Sequence, residues 1–310
     1  MRVATIDIGT NTVLLLVAER RHDGELVALE ERATITRLGE GVDATRRFKE
    51  TAVARTKACL DDYAAVVSGL GVSLVDVVGT SAMRDAEGGE VIVEHARGRF
   101  GVPARVLSGA EEALATFRGA LSGLPACGGP VTVYDIGGGS TEVVVGVSGR
   151  APTYARSFDV GSVRLTERHL KGDPPADLEL AAAREEAARI LAPVALERAD
   201  LARGGVPVGI AGTVTTLAAM ARGIVPYDGA RVHGSSLARG ELSALVDRLA
   251  SMPLARRRGV PGLDPGRADV IVAGGIVVLS VLDALGADGT RVSDRGVRWG
   301  LAAALAGIAD

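Results

Sequence analysis

Aromatic side chains, lysine and cysteine are all scarce in this chain, and each shortage closes off a class of function. Aromatics make up 3% of the 310 residues, too few to build the stacking platforms that hold single-stranded nucleic acid. Lysine occurs only at Lys49, Lys57 and Lys171, so arginine carries nearly all the positive charge. Lys and Arg together number 35 against 38 Asp and Glu, a net charge of −3, which leaves no broad basic field for DNA or an acidic membrane. The only cysteines, Cys59 and Cys127, form no CxxC pair; that argues against a disulfide framework or zinc ribbon and suits a reducing compartment. Long hydrophobic runs are missing too. The most apolar stretch, Val270 to Leu282, stops at Asp283 and is too short to span a bilayer. The opening MRVATIDIGTNTVLLLVAER is interrupted by Asp7 and lacks a small-residue cleavage site, so it reads as two strands and not as a signal peptide. A cytoplasmic protein without nucleic-acid or membrane partners is the expectation.

Several motifs are absent as well. No GxxxxGK[ST], no GxGxxG after a strand and no GxSxG occur, which removes the P-loop, the usual dinucleotide fingerprint and the nucleophile elbow. His22, His95, His169 and His233 are scattered without metal-ligand spacing, and read as structural or solvent-facing.

What is present is an ordinary globular balance, 47% hydrophobic and 24% charged, in a chain long enough for one large or two medium domains. Its most informative feature is an internal echo. Residues 3–17 read VATID-IGTNT-VLLLV and residues 131–147 read VTVYD-IGGGST-EVVVGV. Each copy is an apolar strand ending in Asp, a Gly turn and a second β-branched strand, which predicts a hairpin. Asp7 and Asp135 hold equivalent places. Two distant copies point to two similar halves. LSGLPACGGP at 121–130 is the best boundary, giving domains 1–122 and 123–310. Helical spacing covers Ala52–Leu70, Glu90–Phe100, a helix opening at Ser108, Gly161–Leu170 and Asp177–Ala202. Strands are expected at Leu74–Val78, in ARVLS and in VPVGI. Asp264-Pro265 opens a helix running to about Leu285, with Val270, Ile271, Gly274, Val277, Val278, Val281 and Leu282 on its buried side. The class is α/β throughout.

The Gly turns carry the chemistry. Gly137, Gly138 and Gly139 let backbone N–H groups approach an anion, and Ser140 and Thr141 add hydroxyls. Thr10, Asn11 and Thr12 are placed to do the same in the first copy. A tight hairpin accounts for either turn taken singly; the duplication, with an Asp at each strand end, favours a phosphate clamp. The carboxylates repel phosphate unless a hard divalent cation intervenes, so magnesium (or manganese) is the companion of Asp7, Asp135 and Glu142. Gly212 and Thr213, opening a helix after VPVGI, are a third anion-binding candidate or an ordinary strand-to-helix turn. Glu111 and Glu112 at a helix start either stabilise the macrodipole or orient a water. Arg84 in GTSAMRDA either binds an anion or forms a surface ion pair. The runs Arg20-Arg21 and Arg256-Arg257-Arg258 read as solvated faces.

In order, DIGTNTVLLLV, GTSAMRDA, SGAEEA, DIGGGSTEVVVG, GSVRLTERHL, GIAGTVTTLAA, LASMPLARRRGVPGLDPGRADVIVAGG and VSDRGVRWG resemble the exopolyphosphatase/guanosine pentaphosphate phosphohydrolase (Ppx/GppA) family nearly end to end. The resemblance implies two ribonuclease-H-like domains of the actin/Hsp70/sugar-kinase superfamily around a central cleft. It implies that Glu112 is the catalytic base toward water, with Glu111 its neighbour. Asp135 and Glu142 match the acidic metal-associated pair, Asp7 their counterpart, and Arg84 a polyanion contact. Gly137, Gly138, Gly139 and Ser140 match the phosphate loop, and Thr10 and Asn11 the facing loop. The implied substrate is inorganic polyphosphate, with guanosine pentaphosphate (pppGpp) hydrolysis or non-catalytic sensing as alternatives, and a homodimer is the implied assembly. Two positions depart from the pattern: Trp299 replaces an acidic residue, and Ser235-Ser236 an aromatic-basic pair. Both are expected to shift substrate preference. The chain also stops short of the helical domains of long members, which puts processive handling of long chains in doubt.

Overall fold

The computed structural model describes residues 1–125, 128–150, 152–197 and 205–308. Cys127 and the expected helical stretch 198–202 lie outside the described residues. In chain order the elements are β1 (Arg2–Ile8), β2 (Thr12–Arg20), β3 (Leu26–Ile35), α1 (Val42–Thr45), α2 (Glu50–Gly69), β4 (Leu74–Gly79), α3 (Ser81–Asp85), α4 (Glu90–Phe100), β5 (Arg105–Val106) and α5 (Gly109–Leu121). They continue as β6 (Val131–Ile136), β7 (Thr141–Gly146), β8 (Tyr154–Phe158), α6 (Ser162–His169), α7 (Asp177–Glu197), β9 (Val206–Ile210), α8 (Ala211–Ala221) and α9 (Gly229–Val232). The last are β10 (Ser236–Ala238), α10 (Arg239–Ala250), α11 (Leu254–Arg257), α12 (Ile271–Leu285), β11 (Gly289–Val292) and α13 (Val297–Leu305).

The echo in the sequence is an echo in the topology. One sheet runs β3-β2-β1-β4-β5, the other β10-β11-β9-β6-β7-β8. In each, three antiparallel strands are followed by parallel additions, β4 beside β1 and β9 beside β6. This is the ribonuclease-H-like strand order that the resemblance implies, with β10 as an extra edge strand in the second sheet. Both predicted hairpins form, and both close identically: Gly9 N donates to Thr12 O at 3.1 Å and Gly137 N to Ser140 O at 3.0 Å.

The chain divides into two compact units, Met1–Gly119 with the last segment from Val297, and Ala120–Gly296. The expected boundary at 122/123 falls close to the observed one. The C-terminal helix, however, belongs with the first unit and not with the second. Trp299 and Ala302 pack against Val3, Leu16 and Ala18, and Thr5 Oγ1 donates to Arg298 O at 2.9 Å. Gly300 is what permits this docking, because a Cβ there would lie 2.0 Å from Ala115 O. Trp299 is thus buried in an apolar cluster of the first unit.

In the second unit α12 is buried along nearly its whole length, so it presents no polar stripe and the core wraps around it. The helix expected from Asp264 onward is divided. Asp264 caps a 3₁₀ turn, Pro265–Arg267, through Gly266 N, and the α-helix begins only at Ile271. The cause is Arg257, which is 3% exposed and not on a solvated face. It takes Ala268 O at 3.0 Å and Met252 O at 2.9 Å, so the Ala268 carbonyl serves the guanidinium.

Candidate active site

Ligands of parallel α/β sheets gather at the carboxyl ends of the strands, and the predicted residues fall there in both units. In the first unit β1 and β4 end side by side, with Ile8 opposite Gly79. Thr80 N donates to Ile8 O at 3.3 Å, and Leu107 N to Gly79 O at 3.0 Å. This brings the end of β1 (Asp7) and the turn after it (Thr10, Asn11), the helix after β4 (Arg84) and the helix after β5 (Glu112) to one edge. Arg84 Nη1 donates to Glu112 Oε2 at 2.5 Å and to Leu107 O at 3.0 Å. Glu112 is 5% exposed. A charge-assisted bond of this length fixes the carboxylate in one orientation.

The two adjacent glutamates have separate fates. Glu111 accepts from Ser108 N at 2.8 Å and from Ser108 Oγ at 2.7 Å, while Ser108 Oγ accepts from Glu111 N at 3.3 Å. That reciprocal pair is a capping box, so Glu111 holds the start of α5 and Glu112, one residue on, points inward. The Ser108 hydrogen bonds hold the Glu111 carboxyl below its ordinary value of 4.5, aided by Arg105. A lowered carboxyl contributes stability above pH 4.5 that is lost as pH falls through its folded value. Glu111→Gln is therefore expected to remove part of this acid-side dependence of thermal unfolding, while turnover stays near the parent's. A collapse of turnover in that variant would contradict the assignment.

The loop of the first unit has a consistent polarity. Asn11 O accepts from Thr36 N at 3.1 Å and Arg37 N at 3.0 Å, and Thr10 O accepts from Gly39 N at 2.8 Å. In a trans peptide the N–H points opposite to the C=O, so fixing Thr10 O inward aims Asn11 N–H outward. Thr10 and Asn11 are both buried, yet among the described residues no protein acceptor meets their amides.

The second unit repeats the device. Ser162 N donates to Gly137 O at 3.0 Å, Val163 N to Gly138 O at 2.9 Å and Arg164 N to Gly138 O at 3.1 Å. The first turn of α6, whose amides have no partner within the helix, thereby holds both loop carbonyls and turns Gly138 N–H and Gly139 N–H the other way. Gly138, Gly139 and Ser140 are buried, and no protein acceptor among the described residues meets their amides. Successive backbone amides turned the same way can form a concavity that accepts an anion. Gly212 and Thr213 open α8 beside it: a Cβ on Gly274 would lie 2.5 Å from Thr213 Cγ2 and 3.3 Å from Ser162 Cβ.

Asp135 and Glu142 are directly opposite across the β6–β7 ladder, and Glu142 Oε1 accepts from Ser157 Oγ at 2.7 Å. Like charges facing each other on adjacent strands are unfavourable by themselves. Among the described residues no group of three or more His, Cys, Asp or Glu gathers as a metal cage. Two carboxylates fit a magnesium ion that takes its remaining ligands from substrate phosphates and water. Asp7, buried at the end of β1, sits in the first unit. Three of the four histidines are engaged otherwise: His95 with Asp61, His169 with Glu186, and His233 with Ser293.

Sequence reasoning missed Arg267. Its guanidinium lies against the start of α8, so close that a Cβ on Gly212 would be 1.9 Å from Nη1. Desolvation there draws its pKa below the ordinary guanidinium value, opposed by Asp264 and Tyr227. The signal was available in PGRADVIVAGG, but nothing in its spacing shows that the arginine folds back onto residue 212.

The chain belongs to the Ppx/GppA phosphatase family, whose sequence profile matches residues 16–307. It is 41% identical to Exopolyphosphatase 2 of Mycobacterium tuberculosis, over 99% of both chains. Among solved structures it is similar to an exopolyphosphatase from Cytophaga hutchinsonii, at 25% identity with a TM-score of 0.91 and 99% of each chain covered. The Ppx/GppA family member of Aquifex aeolicus is 34% identical with a TM-score of 0.78, over 97% of this chain and 96% of that one. No helix among the described residues is long and apolar enough to cross a membrane.

Proposed function

We propose that this protein is an exopolyphosphatase, a hydrolase that releases terminal orthophosphate from inorganic polyphosphate. The observation that carries the reading is Glu112, a buried carboxylate fixed by Arg84 in a chain similar to exopolyphosphatases over almost its full length. Phosphoryl transfer asks little covalent chemistry of a protein; it needs positioned groups and charge stabilisation. Water adds to the terminal phosphorus, the bridging P–O bond breaks, and Glu112 accepts the proton of the water. Orthophosphate leaves, and the chain is one unit shorter. In the second unit the amides of Gly138, Gly139 and Ser140 are placed to bind phosphate oxygens, and in the first unit those of Thr10 and Asn11 are placed to do the same. Within the second unit, Gly212 and Thr213 offer a further helix start to an anion. Arg84 holds Glu112 through Nη1, and its positive charge offsets that of the phosphates. Asp135 and Glu142 would hold a magnesium ion, which supplies neutralisation of the phosphate charge when bound.

Phosphate release from short polyphosphate, long polyphosphate, pppGpp and ATP, measured in parallel, tests this. Polyphosphate is expected to give the most release, a chelator to abolish it, and added magnesium to restore it. Release from pppGpp alone would move the substrate to the nucleotide. Tight polyphosphate binding without release in magnesium would make the protein a sensor.

A further inference from the structure

The turn after β3 is a template for the Thr10–Asn11 loop, and three kinds of contact show it. Thr36 N, Arg37 N and Gly39 N hold both loop carbonyls. Arg37 adopts φ 53°, a left-handed conformation that non-glycine residues rarely take, and in doing so presents its N–H to Asn11 O beside that of Thr36. Gly39 packs so closely on Thr10 that a Cβ there would lie 2.2 Å from Thr10 Cγ2.

The template is itself held from outside. Leu38 is fully buried in the apolar core with Ile8 and Val13. Arg55 of α2 takes Thr36 O through Nε at 2.8 Å and Glu40 through Nη2 at 3.4 Å, so one side chain spans both ends of the turn. Lys49 Nζ binds the other Glu40 oxygen at 2.5 Å. These two cations hold the Glu40 carboxyl below its ordinary range, against the opposing effect of burial.

We infer that Gly39 and Arg55 are positioning residues for polyphosphate: through the turn 36–40 they set the direction in which the Asn11 amide meets a phosphate oxygen. The inference rests on the reading of Thr10 and Asn11 as a substrate loop. Neither positioning residue touches substrate. Gly39 acts by leaving room for the Thr10 methyl, and Arg55 by fixing the turn against α2.

Gly39→Ala is the test, because its severest obstacle is one methyl group, Thr10 Cγ2 at 2.2 Å, that a second substitution removes, leaving only Thr10 Cβ and Thr10 O at 3.3 Å. The variant is expected to raise KM for polyphosphate about tenfold, with a much smaller change in kcat, and to stay folded with a lowered thermal midpoint. Thr10→Ser deletes Cγ2 and keeps the hydroxyl, so the double variant should return to the KM of Thr10→Ser alone. Arg55→Ala, at a half-exposed site, should raise KM in the same direction without unfolding the chain. A parental KM in folded Gly39→Ala and Arg55→Ala would overturn the inference. So would a Gly39→Ala defect that Thr10→Ser leaves in place. If Gly39→Ala does not fold, Arg55→Ala decides alone. The parent protein in the same assay separates the two levels: a parent that releases no phosphate denies the exopolyphosphatase reading, whereas an active parent beside unaffected variants denies only the template.

Discussion

Glu112→Gln is expected to lose about 10²–10⁴ in kcat, the usual contribution of a positioned general base, while polyphosphate binds nearly as tightly as to the parent. The substitution keeps shape and volume and removes only the capacity to take a proton. Arg84 retains Leu107 O as a second acceptor at 3.0 Å, so the guanidinium is not cast loose when its carboxylate partner becomes an amide. The amides of Gly138, Gly139 and Ser140 do not depend on Glu112 for their orientation, since α6 holds that loop. Binding and turnover should therefore separate. Phosphate release gives kcat, and calorimetric titration with a short polyphosphate gives Kd. Parental turnover would remove Glu112 from the mechanism. A loss of binding equal to the loss of turnover would make it a structural partner of Arg84.

That separation was only half legible in the sequence. The duplicated hairpin, the Asp at each strand end and the α/β alternation were readable because they are local patterns of period two and of Gly turns. From SGAEEA alone the two glutamates were indistinguishable. Three-dimensional context divides them: Ser108 captures Glu111 in a capping box, and Arg84, 28 positions earlier in the chain, captures Glu112. Long-range partners of this kind leave no trace in spacing. The same limit explains Arg257, which looks like one of three solvated arginines yet binds the buried Ala268 carbonyl and the half-buried Met252 carbonyl. It also explains α13, which joins β1 and β2 through Thr5 and Trp299 and lies against Ala115 at Gly300.

The phosphate loop of the second unit provides the severest test of whether backbone direction carries the substrate. Gly161 precedes α6 in extended backbone, φ −153°, a conformation open to any residue. Glycine is required there for space alone. A Cβ would lie 2.5 Å from Gly138 O, 2.6 Å from Gly138 C and 2.8 Å from Gly137 O, all of them backbone atoms of the loop. Gly161→Ala must therefore separate the loop from the first turn of α6 and loosen the bonds from Ser162, Val163 and Arg164 that fix its carbonyls. A displacement of about 1 Å in a positioning group costs on the order of 10² in rate, so kcat/KM should fall by about that factor. Overpacking should cost about 1–3 kcal/mol of stability, measurable by denaturant unfolding. Gly137→Ala is the milder neighbour, since its Cβ meets only Ser140 O at 3.3 Å. Unlike Gly39→Ala, the Gly161 variant has no side chain to trim in compensation, because the obstacle is the loop itself. Parental kcat/KM in a folded Gly161→Ala protein would mean that α6 does not set the loop, and the outward direction of the Gly138 and Gly139 amides would lose its cause.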